Sequence, residues 1–312
     1  LGDKEKACSF ARKLGVPTLL SSGVLADSSD LAAFRENGVA DRPVILKAVS
    51  GGGGRGLRIV QSKKDGELLF EQASAEAKLA FGDSRLYAED YLSDVRHIEV
   101  QIIGDGQHVC HLWERDCSLQ RRHQKVIEIT PAPGLPDKLR RKILDAATGL
   151  ASALNYKGLG TIEFLVDVDE HKFFFIEANA RLQVEHTVTE EVLDMDLVSL
   201  QFDIALGKTL KQLGLEKPPE LRGTALQLRI NAEELTANGD LISAAGTLNS
   251  YEPPSGLGIR IDSCAFSGYQ MNPLFDSLIA KLIIHVNSDD IRKLFHRAER
   301  AVSEFVLEGM SS

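Results

Sequence analysis

Four cysteines among 312 residues, Cys8, Cys110, Cys117 and Cys264, are too few and too scattered for a disulfide framework, and none has the spacing of a zinc ribbon. Reduced thiols are expected. The eight histidines are dispersed too, and His108 and His111 fall in strand-like sequence that points their side chains to opposite faces, so no zinc site is expected. Positive charge is scarce: 36 Lys and Arg against 45 Asp and Glu leave a net charge of -9, which disfavours nucleic acid as a partner. No apolar run approaches the roughly 18 residues a membrane helix needs, and no charged-then-apolar leader opens the chain. A soluble, intracellular protein is expected. Internal repeats are missing, and the one low-complexity tract is a run of four glycines. What is present, 43% hydrophobic and 26% charged residues, provides a core for one to three domains.

Hydrophobic spacing predicts a helix over 3–14, strands at 44–49 and 57–61 around the glycines, a helix over 65–81, and strands at 85–92, 96–104 and 107–114. Asp105-Gly106 marks a hairpin between the last two. A helix is expected over about 137–154, strands at 160–167 and 172–179, a helix over about 191–206, and, past Pro218-Pro219, a strand-rich region ending in a helix near 289–308. A boundary is placed near residue 220.

Four features carry chemistry. Gly51, Gly53 and Gly56 satisfy G-x-G-x-x-G, but a strand rather than a helix follows, which excludes a dinucleotide fingerprint; Arg55-Gly56-Leu57 excludes a P-loop. A glycine hairpin preceded by Lys47, able to close over phosphates, remains. Glu163 and Glu177 interrupt strands that otherwise want apolar residues, and a three-residue turn Asp169-Glu170-His171 sets them directly opposite each other. Opposed carboxylates destabilise a sheet unless a cation bridges them, and Asn179 on the same face adds a third oxygen. Magnesium with ATP is the natural fit. Arg181, Gln183 and Glu185 in RLQVEH share a face if extended, combining an anion fork with a general base suited to bicarbonate. Arg121, Arg122, His123 and Lys125 form a basic cluster, a solvated loop in isolation and a set of anion ligands beside an ATP site.

KAVSGGGGRGLR, YAEDYL, RHIEVQ, ERDCSLQRRHQKVIE, GTIEFL, FIEANARLQVEHTVTE and LRINAEE, in that order along nearly the whole chain, resemble the biotin carboxylase component of biotin-dependent carboxylases, an ATP-grasp family. The resemblance implies an α+β ATP-grasp fold with a glycine-rich lid and a strand-rich C-terminal subdomain. Its parts would be 1–18, helix and linker from an N-terminal domain; 19–91, the lid; 92–220, the core with the metal and bicarbonate site; and 221–312, the C-terminal subdomain. A preceding Rossmann-like domain and a longer C-terminal tail are expected of the parent protein, of which this would be an excised piece.

Carried over residue by residue, the resemblance implies that Lys4, Lys47, Gly53 and Gly54 hold the ATP phosphates, while Glu89, Tyr91 and Leu92 line the adenine pocket. His97, Gln120, His123 and Leu165 complete the nucleotide site, and Glu163, Glu177 and Asn179 bind Mg2+ or Mn2+. Lys125, Arg181, Gln183 and the backbone of Val184 hold bicarbonate, Glu185 is its general base, and Arg229 stabilises the enolate of biotin. Arg260 falls nearer a dimer contact and has no catalytic role. Asp90 stands where lysine is common, and Thr187 where some members carry proline.

The activity implied is ATP-dependent carboxylation of biotin on a carrier domain by way of carboxyphosphate, in partnership with a carboxyltransferase and as a dimer or larger assembly. The alternatives are another ATP-grasp carboxylate-amine ligase, without reason to carry RLQVEH and RRHQK, and an inactive module that retains only nucleotide binding.

Overall fold

The computed structural model describes residues 4–39, 42–51, 57–62, 64–121, 123–237 and 241–310. Helix α1 (Lys4–Lys13) buries Ala7, Cys8 and Ala11 on one stripe, which packs on strand β9 introduced below. The next segment builds a small sheet from β1 (Ser21–Leu25), β2 (Val44–Ala48), β3 (Arg58–Val60) and β4 (Leu86–Asp90) in the order β1-β4-β2-β3, all antiparallel. Val44, Leu46, Val60 and Ala88 face helices α2 (Ser28–Phe34) and α3 (Gly66–Phe81), as the two-residue alternation of strands requires. Lys47 and Glu89 consequently share the opposite face. The glycines 52–56 between β2 and β3, Gly53 and Gly54 included, lie outside the described residues.

The large sheet begins with β5 (Arg96–Asp105), β6 (Val109–Arg121) and β7 (Gln124–Thr130), followed by α4 (Asp137–Ser152), β8 (Lys157–Asp167) and β9 (Lys172–Asn179). Asp105 stabilises the β5–β6 turn by accepting from the backbone amides of Gln107 and His108, and Gly106 takes φ 92°, a conformation that favours glycine. After α5 (His186–Leu193) and α6 (Leu197–Ala205) come β10 (Thr224–Asn231) and the short strands β11 (Glu233–Leu235), β12 (Leu241–Ser243), β13 (Gly246–Thr247) and β14 (Ser250–Glu252). β15 (Ile259–Ser263), β16 (Gln270–Met271), β17 (Leu278–Val286), α7 (Ile291–Glu304) and β18 (Val306–Glu308) complete the described chain. Eight strands form one antiparallel sheet in the order β15-β17-β10-β7-β6-β5-β8-β9, so the sheet continues across residue 220 through the β7–β10 pairing.

On one face, Ile98, Val100, Ile102, Ile162 and Phe164 pack beneath α4 and α1. The other face changes character along its length. At one end Ile103 and Leu159 pack on Val188, Val192 and Leu197 of α5 and α6. At the other end it carries charged and polar side chains, with α5 beginning above them.

Three expectations are corrected. One helix over 191–206 proves to be two, because Asp194 adopts a left-handed φ of 53° and Asp196 caps α6 by accepting from the Ser199 amide. RLQVEH is not extended: residues 180–185 are irregular and Glu185 is the N-cap residue of α5. The β8–β9 turn is one residue longer than expected, since Asp167 rather than Val168 pairs with Lys172, but a bulge at Ile176 restores the register. Glu163 still falls opposite Glu177.

Candidate active site

Strand register alone lines up an unusual row. Arg115 on β6 pairs with Glu99 on β5, Glu99 with Glu163 on β8, and Glu163 with Glu177 on β9, all on one sheet face. A second row, Gln101, Thr161 and Asn179, runs alongside. Three carboxylates side by side in low dielectric need compensation. Arg115 is fully buried and spends its guanidinium on Glu99 at 2.5 Å, Gln101 at 2.7 Å, Thr189 at 3.0 Å and Thr161 at 3.2 Å. Lys125 reaches in from the start of β7 and meets Glu99 at 2.5 Å, Glu185 at 2.6 Å and Glu163 at 3.4 Å. Burial alone would pull the Lys125 ammonium down; the carboxylates of Glu99, Glu163 and Glu185 outweigh it and hold its pKa well above the ordinary lysine value. Burial likewise pushes Glu99 up, but Arg115 and Lys125 bring its carboxyl down to about 2. For Glu163, burial is outweighed by Lys125 and His97, and the carboxyl lies far below the usual range. Burial pushes the Cys117 thiol far up, which leaves it neutral beside this cluster.

Glu185 is buried at the start of α5, where the helix favours negative charge. Its second oxygen accepts from Arg229 on β10 at 3.0 Å. Arg229, its side chain 19% exposed, also pairs with Glu128 on β7 at 2.6 Å. A carboxylate held between a lysine and an arginine, next to three further carboxylates, is a site for a small anion and for a cation side by side.

The nucleotide-side residues converge from the other direction. His97 Nε2 meets Glu163 at 2.5 Å, and its Nδ1 is 2.9 Å from the Gln120 amide, which also donates to the Cys117 carbonyl. Leu165 is the cross-strand partner of His97. Lys4 pairs with Glu177 at 2.7 Å, and Lys47 with Glu89 at 2.5 Å on the face of the small sheet noted above. Tyr91 and Leu92 lie in the connection between β4 and β5.

A divalent cation fits the residues present. Asn179 stands within 2.7 Å of Glu163 and 3.2 Å of Glu177, linking both carboxylates. Gln183 donates to Glu163 at 3.0 Å while its Oε1 is buried without a partner, an orphaned acceptor on a side chain that already touches the cluster. His97, Glu99 and Glu163 each offer one atom, all within 4.8 Å of one another, and Glu177 is outside that trio.

Not every expected residue joins the cluster. Arg181 is exposed and donates to the Leu182 carbonyl at 3.2 Å. The Val184 carbonyl accepts from Lys281 at 3.2 Å. Arg121 turns away to Glu233, His123 sits exposed at the β6–β7 turn with φ 63°, and Arg122 lies outside the described residues. Among the described residues of RRHQK, Lys125 is the basic one that reaches Glu99, Glu163 and Glu185. A cleft of about 580 Å³ lies elsewhere, between α5 and β15, and its Arg260 is answered by Glu190, Glu191 and Asp262. Sequence reasoning missed Glu99, Arg115 and Glu128. The signal was there for Glu99 and Glu128, each a charged residue in an apolar stretch of strand, but not for Arg115, which sits in the charged run Glu114-Arg115-Asp116.

Residues 3–213 match the family described as carbamoyl-phosphate synthase L chain, ATP binding domain, and 227–312 match the biotin carboxylase C-terminal domain. Biotin carboxylase 1 of Bacillus subtilis (strain 168) is 39% identical over 313 residues, covering 100% of this chain and 68% of that protein. The mitochondrial pyruvate carboxylase of Homo sapiens is 40% identical over 316 residues, again 100% of this chain but 26% of that protein. Among solved structures, the biotin carboxylase domain dimer of Hydrogenobacter thermophilus 2-oxoglutarate carboxylase, in complex with MgADP, ADP and bicarbonate, has a TM-score of 0.91 at 36% identity, covering 99% of this chain and 67% of that one. Fold and site together define an ATP-grasp ligase. The chain belongs to the biotin carboxylase family.

Proposed function

We propose that this chain performs the first half-reaction of a biotin-dependent carboxylase: biotin on a carrier domain is carboxylated with bicarbonate at the expense of ATP. The observation that supports it most is Glu185, buried between Lys125 at 2.6 Å and Arg229 at 3.0 Å, with Lys125 linking it to Glu163, one of the carboxylates suited to a metal–nucleotide complex. Mg2+ or Mn2+ bound by Glu163, Glu177 and Asn179 would neutralise phosphate charge as it develops. Lys4, Lys47, Gly53, Gly54 and His123 serve the phosphates. Glu89, Tyr91, Leu92 and Leu165 serve the base, and Gln120 and His97 order the metal-side carboxylate. Lys4 and Lys47 rest on Glu177 and Glu89, so both are neutralised until a phosphate competes for them.

Bicarbonate, held by Lys125, Arg181, Gln183 and the backbone of Val184, gives its proton to Glu185. Its oxygen then forms a bond to the γ-phosphorus as the bond to ADP breaks, which yields carboxyphosphate. Cleavage of the carbon–oxygen bond releases carbon dioxide and phosphate; the phosphate takes the proton from the ureido nitrogen of biotin, and that nitrogen bonds to carbon dioxide beside Arg229. Positioning and charge neutralisation supply most of the acceleration.

The carrier and carboxyltransferase, on this or another chain, and a homodimeric assembly complete the proposal. The pyruvate carboxylase relative, of which this chain spans 26%, and the dimeric Hydrogenobacter domain support it. Among the described residues no helix is long and apolar enough to cross a membrane. Cytoplasm or mitochondrial matrix is the proposed location, in keeping with the bacterial and mitochondrial relatives. Labelled bicarbonate tests the chemistry: with 18O-bicarbonate, the phosphate released by the full-length protein carries one labelled oxygen per turnover. Unlabelled phosphate means that water is the nucleophile and contradicts the reading.

A further inference from the structure

Behind Arg229 lies a closed ring of buried polar groups that the chemistry above does not use. Arg229 Nε donates to Glu128 Oε1 at 2.7 Å, and its Nη2 reaches the same oxygen at 2.6 Å and Glu185 at 3.0 Å. The other oxygen of Glu128 accepts from Gln227 Nε2 at 3.0 Å. The oxygen of the Gln227 amide accepts in turn from the Thr187 hydroxyl. Thr187 is two residues from Glu185 on the same helix start, so the ring returns to where it began. Glu128, Gln227 and Thr187 are all fully buried, and such groups are expensive to keep in a core unless their partners are fixed.

The ring has a direction. A threonine hydroxyl that donates to the Gln227 oxygen turns the amide nitrogen toward Glu128, and that carboxylate then holds the guanidinium from behind. Arg229 is thereby shared between two carboxylates, one with no access to solvent and one at the reacting centre. We propose that Glu128, oriented by Gln227 and Thr187, is a positioning residue that keeps the Arg229 guanidinium from closing wholly onto Glu185, so that the arginine stays available to the carboxyl acceptor and Glu185 to bicarbonate. The inference rests on the function proposed above.

Charge on Glu128 is what holds the arginine back. Facing it are Arg229 and Gln227 from β10, Glu185 and Thr187 from the start of α5, Glu99 from β5 and Cys117 from β6. Burial pushes its carboxyl up, Arg229 pulls it down, and the negative charges of Glu185 and Glu99 push it up again, to about 7. As pH falls through that value Glu128 gains a proton, its hold on Arg229 weakens, and the guanidinium shifts toward Glu185. The biotin-stimulated rate therefore declines on the acid side of about pH 7.

The test compares the full-length protein with Glu128→Gln and Thr187→Val, reading three quantities: MgADP affinity by calorimetry, the biotin-stimulated, bicarbonate-dependent rate of ATP cleavage, and the pH dependence of that rate at constant bicarbonate concentration. E128Q mimics the protonated carboxyl at every pH. It is expected to bind MgADP within about twofold of wild type, to lose about tenfold or more in rate, and to show no acid limb near pH 7. T187V, which removes one hydroxyl and nearly keeps the shape, should lose rate by about threefold to tenfold with MgADP affinity kept, and it reports on the ring even if E128Q does not fold. An E128Q protein with wild-type rate and acid limb overturns the proposal, as does one whose rate falls with the limb intact. A T187V protein with unchanged rate removes Thr187 from the ring. A wild-type protein that ignores bicarbonate and biotin instead overturns the function itself, which keeps the two failures distinct.

Discussion

Glu185 is buried and held by Lys125 on one oxygen and by Arg229 on the other, so an arriving anion can share the same two cations. Glu185→Gln keeps size and most hydrogen bonds but cannot take the proton, so bicarbonate-dependent turnover is expected to fall about a hundredfold or more while MgATP binding is retained. Stopped or quenched assays at saturating nucleotide measure this, and unchanged turnover removes Glu185 as the base. At this scale the sequence was legible wherever a charged residue interrupted an apolar pattern and was weighed against its neighbours. Glu163 and Glu177 were found that way. Glu99 and Glu128 satisfy the same criterion, whereas Arg115 is hidden within the charged run Glu114-Arg115-Asp116. Nothing local announces that Glu128 meets Arg229, 101 residues away.

Strands set the site's geometry, and their register depends on small residues. On β5, a Cβ at Gly104 would lie 2.2 Å from the Tyr156 carbonyl oxygen, and on the neighbouring strand a Cβ at Gly160 would lie 2.6 Å from the Tyr156 hydroxyl. Backbone cannot yield as a flexible side chain does, so Gly104→Ala must push β5 away from the residues preceding β8. A loss of about 1–3 kcal/mol in unfolding free energy is expected, measurable by urea denaturation. An unchanged midpoint would mean the close approach relaxes freely. Element type and order were largely legible, since alternation and helical spacing are local properties. The Glu163–Glu177 pairing was reached from a turn one residue too short, and the Ile176 bulge compensated. Bulges of this kind answer to tertiary packing and leave little trace in local pattern. The break at Asp194 had a local cause, an aspartate in left-handed conformation followed by an aspartate cap, but the apolar spacing on both sides hid it.

Across the whole molecule, an acidic chain of net charge -9 gathers its buried cations where they are needed. Arg115, Lys125 and Arg229 come from β6, β7 and β10, strands adjacent in the sheet although β10 follows β7 by more than ninety residues of chain. The base and the arginine that faces it therefore lie on opposite sides of the division near residue 220, and the continuous sheet is what holds them 3.0 Å apart. That dependence was not visible in sequence, where a proline pair reads as a linker between independent units. The central claim, that this sheet activates bicarbonate with ATP for transfer to biotin, is tested most directly by ATP cleavage in the full-length protein, assayed with and without bicarbonate and with and without free biotin. Cleavage that requires bicarbonate and rises with biotin is the predicted result; cleavage indifferent to both would contradict the account.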